Sequence, residues 1–151
     1  MAVSPTLRLQ VLPHGEGLEL PAYQTAGAAG LDLRAAVEFP VFVEPAQRVQ
    51  IPTGLAMAIP SGFEGQVRAR SGMAWKKGLA VINAPGTIDS DYRGEVKVLA
   101  INLSDERIQI KRGDRVAQLV IAPVVQATLL EVTTLDDTDR GSGGFGSTGR
   151  G

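Results

Sequence analysis

Short alternations of apolar and polar residues dominate this chain, and long helical stripes are missing from its pattern. Leu7, Leu9 and Val11 alternate with Arg8 and Gln10, the period of a strand with one buried face. In AAGLDLRAA, residues 28–36, Leu31 and Leu33 share one face while Asp32 and Arg34 share the other. Residues 48–51 and 53–59 predict two short strands broken by Pro52, and Pro60-Ser61-Gly62 predicts a turn into a strand over 63–69. Ala80-Val81-Ile82 and Val96-Lys97-Val98-Leu99 predict a hairpin, with the turn formers Pro85-Gly86 and Arg93-Gly94 between them. Residues 96–103 and VAQLVIAPVV at 116–125 are nearly apolar on both faces and read as central strands. One stretch departs from the strand pattern: in RSGMAWKKG, residues 70–78, Ser71 is expected to cap a single helical turn that Gly78 ends.

Composition agrees with this pattern and narrows the chemistry. A chain of 151 residues suits one domain, and a fold of that size buries about 68 to 70% of its unfolded surface. Eighteen glycines and nine prolines among short Val, Ile and Leu runs favour an all-β sandwich or barrel. A formal net charge of −1 argues against a dedicated nucleic-acid partner, which needs a basic surface. With no cysteine there are no disulfides, thiolate zinc sites or cysteine nucleophiles. His14 is the single histidine and sits in the loop PHGEG, so it reads as a surface residue rather than as part of a Ser-His-Asp triad. Any metal should then be an oxygen-ligated ion such as Mg²⁺, bound largely through substrate phosphates. No apolar run is long enough for a membrane span, and the expectation is a soluble, cytoplasmic protein with no membrane partner.

Functional side chains are densest in NAPGTIDSDYRGEVKV, residues 83–98, which holds an amide, two aspartates and one of only two tyrosines around its turns. A hairpin mouth there exposes backbone N–H and C=O groups that can read a flat heterocycle. Asp89 at its rim can take a proton from water; the alternative is a solvated acidic turn. Upstream, the helix start beside Arg70 exposes the amides of Ser71 and Gly72, an anion site to which phosphate is the natural guest. Lys76 and Lys77 read as solvated. Gln118 interrupts an apolar strand, and a buried amide there must find partners. Asp32 reads equally as a functional acid and as a strand-edge charge that guards against aggregation.

From Asp136 the pattern changes: RGSGGFGSTGRG, residues 140–151, has six glycines in twelve residues and cannot pack a core. The expected division is a barrel over 1–135 and a mobile arm over 136–151. Gly141 to Gly146 fits G-x-G-x-x-G, yet no strand leads into it, so a dinucleotide fingerprint is not indicated. Arg140, Ser147 and Thr148 on exposed backbone suit a terminal phosphate. Phe145 can lie flat on a base.

The 83–98 passage resembles the uracil-reading motif of the homotrimeric dUTPases. Segments around Asp32, around RSG at 70–72, RGDRVAQLVI from Arg112 and the Gly-rich arm are similar to that family's other motifs, in order, over residues from about 28 to 149. One departure is Ala69, where the second motif often carries proline. The resemblance implies a distorted jelly-roll-like β-barrel, a homotrimer with shared active sites, and hydrolysis of dUTP to dUMP and pyrophosphate with Mg²⁺. It implies Asp89 as general base and Asp32 as a contact to the metal's water shell. Arg70, Ser71, Gly72, Arg140, Gly146, Ser147 and Thr148 would handle phosphates, and the Gln118 amide would lie near them or orient the catalytic site. Asn83 would read uracil, with Gly86, Thr87, Ile88 and Lys97 along the substrate; which of Lys97 and Arg93 touches it stays open. Tyr92 would press on deoxyribose and Phe145 on the base. The runner-up readings are a dCTP deaminase of the same fold and a non-catalytic trimeric nucleotide-binding barrel.

Overall fold

The period-2 segments of the sequence become strands that close on one apolar interior. The computed structural model describes residues 4–146. The first element, β1 (Arg8–Val11), leads through a short 3-10 turn at Pro13–Gly15 to β2 (Leu31–Arg34), β3 (Val41–Val43), β4 (Arg48–Ala58) and β5 (Phe63–Arg68). The one α-helix among the described residues, α1 (Ser71–Lys77), precedes β6 (Leu79–Val81), β7 (Gly86–Ile88), β8 (Glu95–Asn102), β9 (Ile108–Ile110) and β10 (Arg115–Pro123). Strand order is β1-β4-β8-β6 in one sheet and β2-β10-β5-β7 in another, with β3 and β9 forming a separate pair. Every pairing is antiparallel.

Leu31 and Leu33 of β2, Leu119 of β10, Ile51 and Met57 of β4, and Val96 and Val98 of β8 belong to a single buried cluster that also takes in Val43 and Ile110. That shared core makes the two large sheets and the small pair one all-β, jelly-roll-like barrel. As expected, β8 and β10 are central strands. Only one face of β8 is fully buried, however: Val96, Val98, Ala100 and Asn102 point inward while Lys97 is exposed and Leu99 and Ile101 are half-buried.

Three local expectations need correction. Pro52 does not divide β4; it pairs with Lys97 on β8, and β1 joins β4 only from Leu55 onward. On its other side Pro52 is paired with no strand, its carbonyl accepting the Ala36 N–H at 2.8 Å, and the register shift between Pro52 and Ala56 absorbs the distortion. Ser71 is the first residue of α1 rather than its cap; Arg70, extended at φ −89° and ψ 135°, occupies the cap position without a side-chain bond. Gly78 does end the helix, in the left-handed conformation at φ 71° that suits glycine.

The third correction shapes the site. β6 and β8 pair as expected, Leu79 with Asn102 and Val81 with Ala100, but they do not form a simple hairpin. Gly86 opens β7 instead of completing a turn, and β7 crosses to the other sheet to pair with β5, Gly86 facing Val67 and Ile88 facing Gly65. The connection between two paired strands therefore visits the opposite sheet, which leaves a hollow beside it.

Candidate active site

That hollow is a pocket of about 290 Å³. Asn83, Gly86, Thr87, Ile88 and Asp89 line it from the β6–β7 turn and β7; Tyr92 and Lys97 line it from the approach to β8 and from β8 itself. All seven are residues the sequence reading singled out. A Cβ on Gly86 would lie 3.2 Å from both Asn83 Nδ2 and Val67 Cβ, so glycine there lets the amide and the β5 wall close on the same space. The turn after Asp89 is tied at several points. Tyr92 N–H donates to Asp89 O at 3.2 Å. Its hydroxyl donates to Glu95 O at 3.0 Å, and one Arg93 guanidinium nitrogen donates to Ser90 O at 2.7 Å and to Tyr92 O at 2.9 Å. Arg93 thus spends donors on its own turn, while the exposed Lys97 faces the pocket.

A second set of polar residues gathers where β2, β10 and the start of α1 meet. The register sets Gln118 opposite Asp32 on one side and opposite Arg68 on the other. Asp32 Oδ1 pairs with Arg70 Nε at 2.9 Å and its Oδ2 with Arg115 Nη1 at 3.3 Å, with the acid side chain only 12% exposed. Two guanidiniums on one carboxylate leave the cluster net positive, and Arg70 and Arg115 keep part of their surface open to solvent. Gln118 Nε2 donates to Ala69 O at 2.9 Å, bracing the residue before Arg70. Its Oε1 fills the space of a Cβ on Gly30, which would sit 2.3 Å away. Ser71 and Gly72 are exposed, and a Cβ on Gly72 would meet nothing within 4 Å, so this backbone is accessible from outside.

The dUTPase family model matches residues 16–149. The chain belongs to the dUTPase family. A deoxyuridine 5'-triphosphate nucleotidohydrolase of Rhizobium etli strain CIAT 652 is 60% identical over 147 residues, covering 96% of this chain and 94% of that protein. One from Mesorhizobium japonicum is 58% identical over 149 residues, covering 97% and 92%. Among solved structures, a Staphylococcus bacteriophage 80alpha dUTPase mutant with dUpNHpp superposes with a TM-score of 0.82 at 28% identity, covering 96% of this chain and 99% of that one. A mutant dUTPase from phage phi11 of S. aureus, described with a structural Mg(II) ion, reaches a TM-score of 0.77 at 26% identity, covering 87% and 99%.

Within this dUTPase-family chain, no hydrogen bond or ion pair among the described residues joins the pocket at 83–97 to the Asp32–Arg70–Gln118 cluster. Among the described residues, no hydrogen bond or ion pair joins the segment from Asp136 onward to either. Arg140 Nε donates to Gly143 O at 2.8 Å inside the arm, and Phe145 is fully exposed beside Gly146. Ser147 and Thr148 lie outside the described residues. From Val124 onward there is no strand among the described residues, and Val125, Leu129, Leu130 and Leu135 are each more than 80% exposed.

Among the described residues, no group of three or more His, Cys, Asp or Glu side chains could hold a metal ion. Asp32, already bound to two arginines, fits contact with a hydrated ion carried by the substrate, and does not fit direct ligation. The sequence reading passed over Gln50, Val67, Glu95, Val96 and Leu99, which also line the pocket, and Arg115, the second partner of Asp32. For Arg115 the sequence signal is its place inside RGDRVAQLVI, three residues before Gln118. No helix among the described residues is long and apolar enough to cross a membrane.

Proposed function

We propose that this chain hydrolyses dUTP to dUMP and pyrophosphate. The observation that carries the reading is the convergence of Asn83, Asp89 and Tyr92 on one small pocket walled by Gly86 and Val67. An amide able to donate to the O4 oxygen of uracil mismatches cytosine's amino group, and unpaired polar groups enforce such choices strongly. In this reading the β7 wall excludes thymine's methyl by contact, and Tyr92 presses on the deoxyribose where a 2′-hydroxyl would clash.

Asp89 is exposed at the pocket, and in this reading it removes a proton from the water that attacks the α phosphorus as the bond to the β-phosphate oxygen breaks. Arg70, held by Asp32, with Ser71 and Gly72 and the amide of Gln118 behind them, binds the phosphates and keeps them in line. Arg140, Gly146, Ser147 and Thr148 close over the terminal phosphate while Phe145 covers the base. Mg²⁺ bound to the triphosphate, with Asp32 touching its water shell, would spread charge on the leaving group.

We read the pocket and the arginine cluster, which no hydrogen bond or ion pair among the described residues joins, as parts of one site supplied by different chains of a homotrimer. The exposed Val125, Leu129, Leu130 and Leu135 support this, because an apolar strap of that length needs a partner surface and a second copy offers one. We place the enzyme in the cytoplasm, where deoxynucleotides are handled. The test is pyrophosphate release from dUTP, dCTP, dTTP, UTP and the remaining common triphosphates, with ammonia assayed on dCTP. Consumption of dUTP alone is the expected result. Ammonia from dCTP with no pyrophosphate from dUTP would replace this reading with a deaminase.

A further inference from the structure

Glu95, at the start of β8, lines the pocket yet spends its carboxylate away from it. Its Oε1 accepts the Gly54 N–H at 2.9 Å and pairs with His14 Nε2 at 2.5 Å. Gly54 lies in the irregular part of β4, between Pro52 and Ala56, where the ladder to β8 is interrupted. At φ 68° it turns its amide toward the acid rather than across the sheet. Thr53 Oγ1 closes the same gap by donating to Val96 O at 2.5 Å.

The far side of this clip is equally fixed. Leu12 N–H donates to Gly54 O at 2.8 Å, and a Cβ on Gly15 would lie 2.5 Å from that oxygen, so the 3-10 turn rests directly on the strand. Arg112 donates to the carbonyls of His14 and Glu16, both at 2.8 Å. His14 is therefore anchored from behind while its ring reaches Glu95.

The near side of Glu95 meets the substrate pocket through its main chain. Its carbonyl receives the Tyr92 hydroxyl at 3.0 Å. That bond folds the ring back over Gly94, where a Cβ would stand 2.4 Å from Tyr92 Oη. The ring's tilt depends on where the residue 95 carbonyl sits, and the Glu95 side chain fixes that point against Gly54 and His14.

We infer that Glu95, backed by His14, is a positioning residue for sugar discrimination: it sets the tilt of Tyr92 and hence the rejection of ribonucleotides. This rests on the dUTP reading above. The experiment compares kcat/KM for dUTP and UTP in the wild type, Glu95→Ala, Glu95→Gln, His14→Ala, Tyr92→Phe and the Tyr92→Phe/Glu95→Ala double variant, with melting temperatures alongside. Glu95→Ala should lower the dUTP-to-UTP ratio about tenfold or more. Glu95→Gln, which keeps an acceptor oxygen for Gly54 and His14, should stay within about threefold of wild type. In the Tyr92→Phe background, Glu95→Ala should change the ratio no further, because the two act through one bond. His14→Ala, at a half-exposed position, should lower the ratio partway and serves as the test if Glu95→Ala does not fold. A lower melting temperature with an unmoved ratio, or an equal loss in both Tyr92 backgrounds, overturns the inference and leaves dUTP hydrolysis standing. A wild type that releases no pyrophosphate from dUTP overturns both.

Discussion

Asp32 holds Arg70 by an ion pair of 2.9 Å between Oδ1 and Nε, and the acid belongs to β2 while the arginine caps α1. The bond fixes the guanidinium from its Nε edge. Its far edge partly faces the Arg115 carbonyl, which Nη1 reaches at 3.3 Å. Asp32→Ala should therefore leave Arg70 in place but unaimed, beside a second uncompensated guanidinium. We expect KM for dUTP to rise about tenfold, roughly 1.4 kcal/mol of binding. Steady-state kinetics with the Arg70→Ala variant as reference will show whether Asp32 acts through that arginine; an unchanged KM would separate the two residues.

Asp89→Asn keeps the shape of the pocket rim and removes the proton acceptor. Binding of dUTP should persist, while kcat for pyrophosphate release should fall by about 10²- to 10⁴-fold. Titration calorimetry and turnover measured on the same sample check this, and undiminished turnover would take Asp89 out of the role of base.

Deletion from Arg140 onward leaves every strand among the described residues intact, the last of which ends at Pro123. The truncated protein should melt as the full chain does and lose about 100-fold or more in kcat/KM. Full activity after truncation would end the proposal that the arm closes the site.

Arg70→Ala and Asp89→Asn chains, each strongly impaired alone, should recover activity when unfolded and refolded together. If Arg70 and Asp89 reach one site from different chains, about a quarter of the sites in an equal mixture carry both intact residues. A mixture as inactive as its parents would place both residues of a site on one chain.

Asn102, wholly buried at the end of β8, tests the fold rather than the chemistry. Its Nδ2 donates to Val43 O at 2.9 Å and to Glu106 O at 2.8 Å, and its Oδ1 accepts from Ser104 N–H and Oγ. Asn102→Ala strands several of these groups and should cost about 3 kcal/mol of stability. Urea unfolding with an unchanged slope and a lower midpoint is the expected result.

Local patterns were enough to place Leu31 and Leu33 inward by alternation, to put β8 and β10 in the sheet interiors by their apolar runs, and to end α1 at Gly78, because each depends on neighbours a few residues away. The residue types at 83–92 likewise marked the pocket before its walls were known. Pairing decided the rest. That β7 leaves its apparent hairpin for β5, that Pro52 can stay inside β4, that Arg115 shares Asp32 with Arg70, and that Glu95 reaches Gly54 and His14 all follow from contacts between distant segments. Local patterning records which face of a strand meets the core, but it carries no label for the strand on the other side. Only closure of the barrel assigns those partners, because the free energy of each choice comes from surfaces that meet when the whole chain has folded.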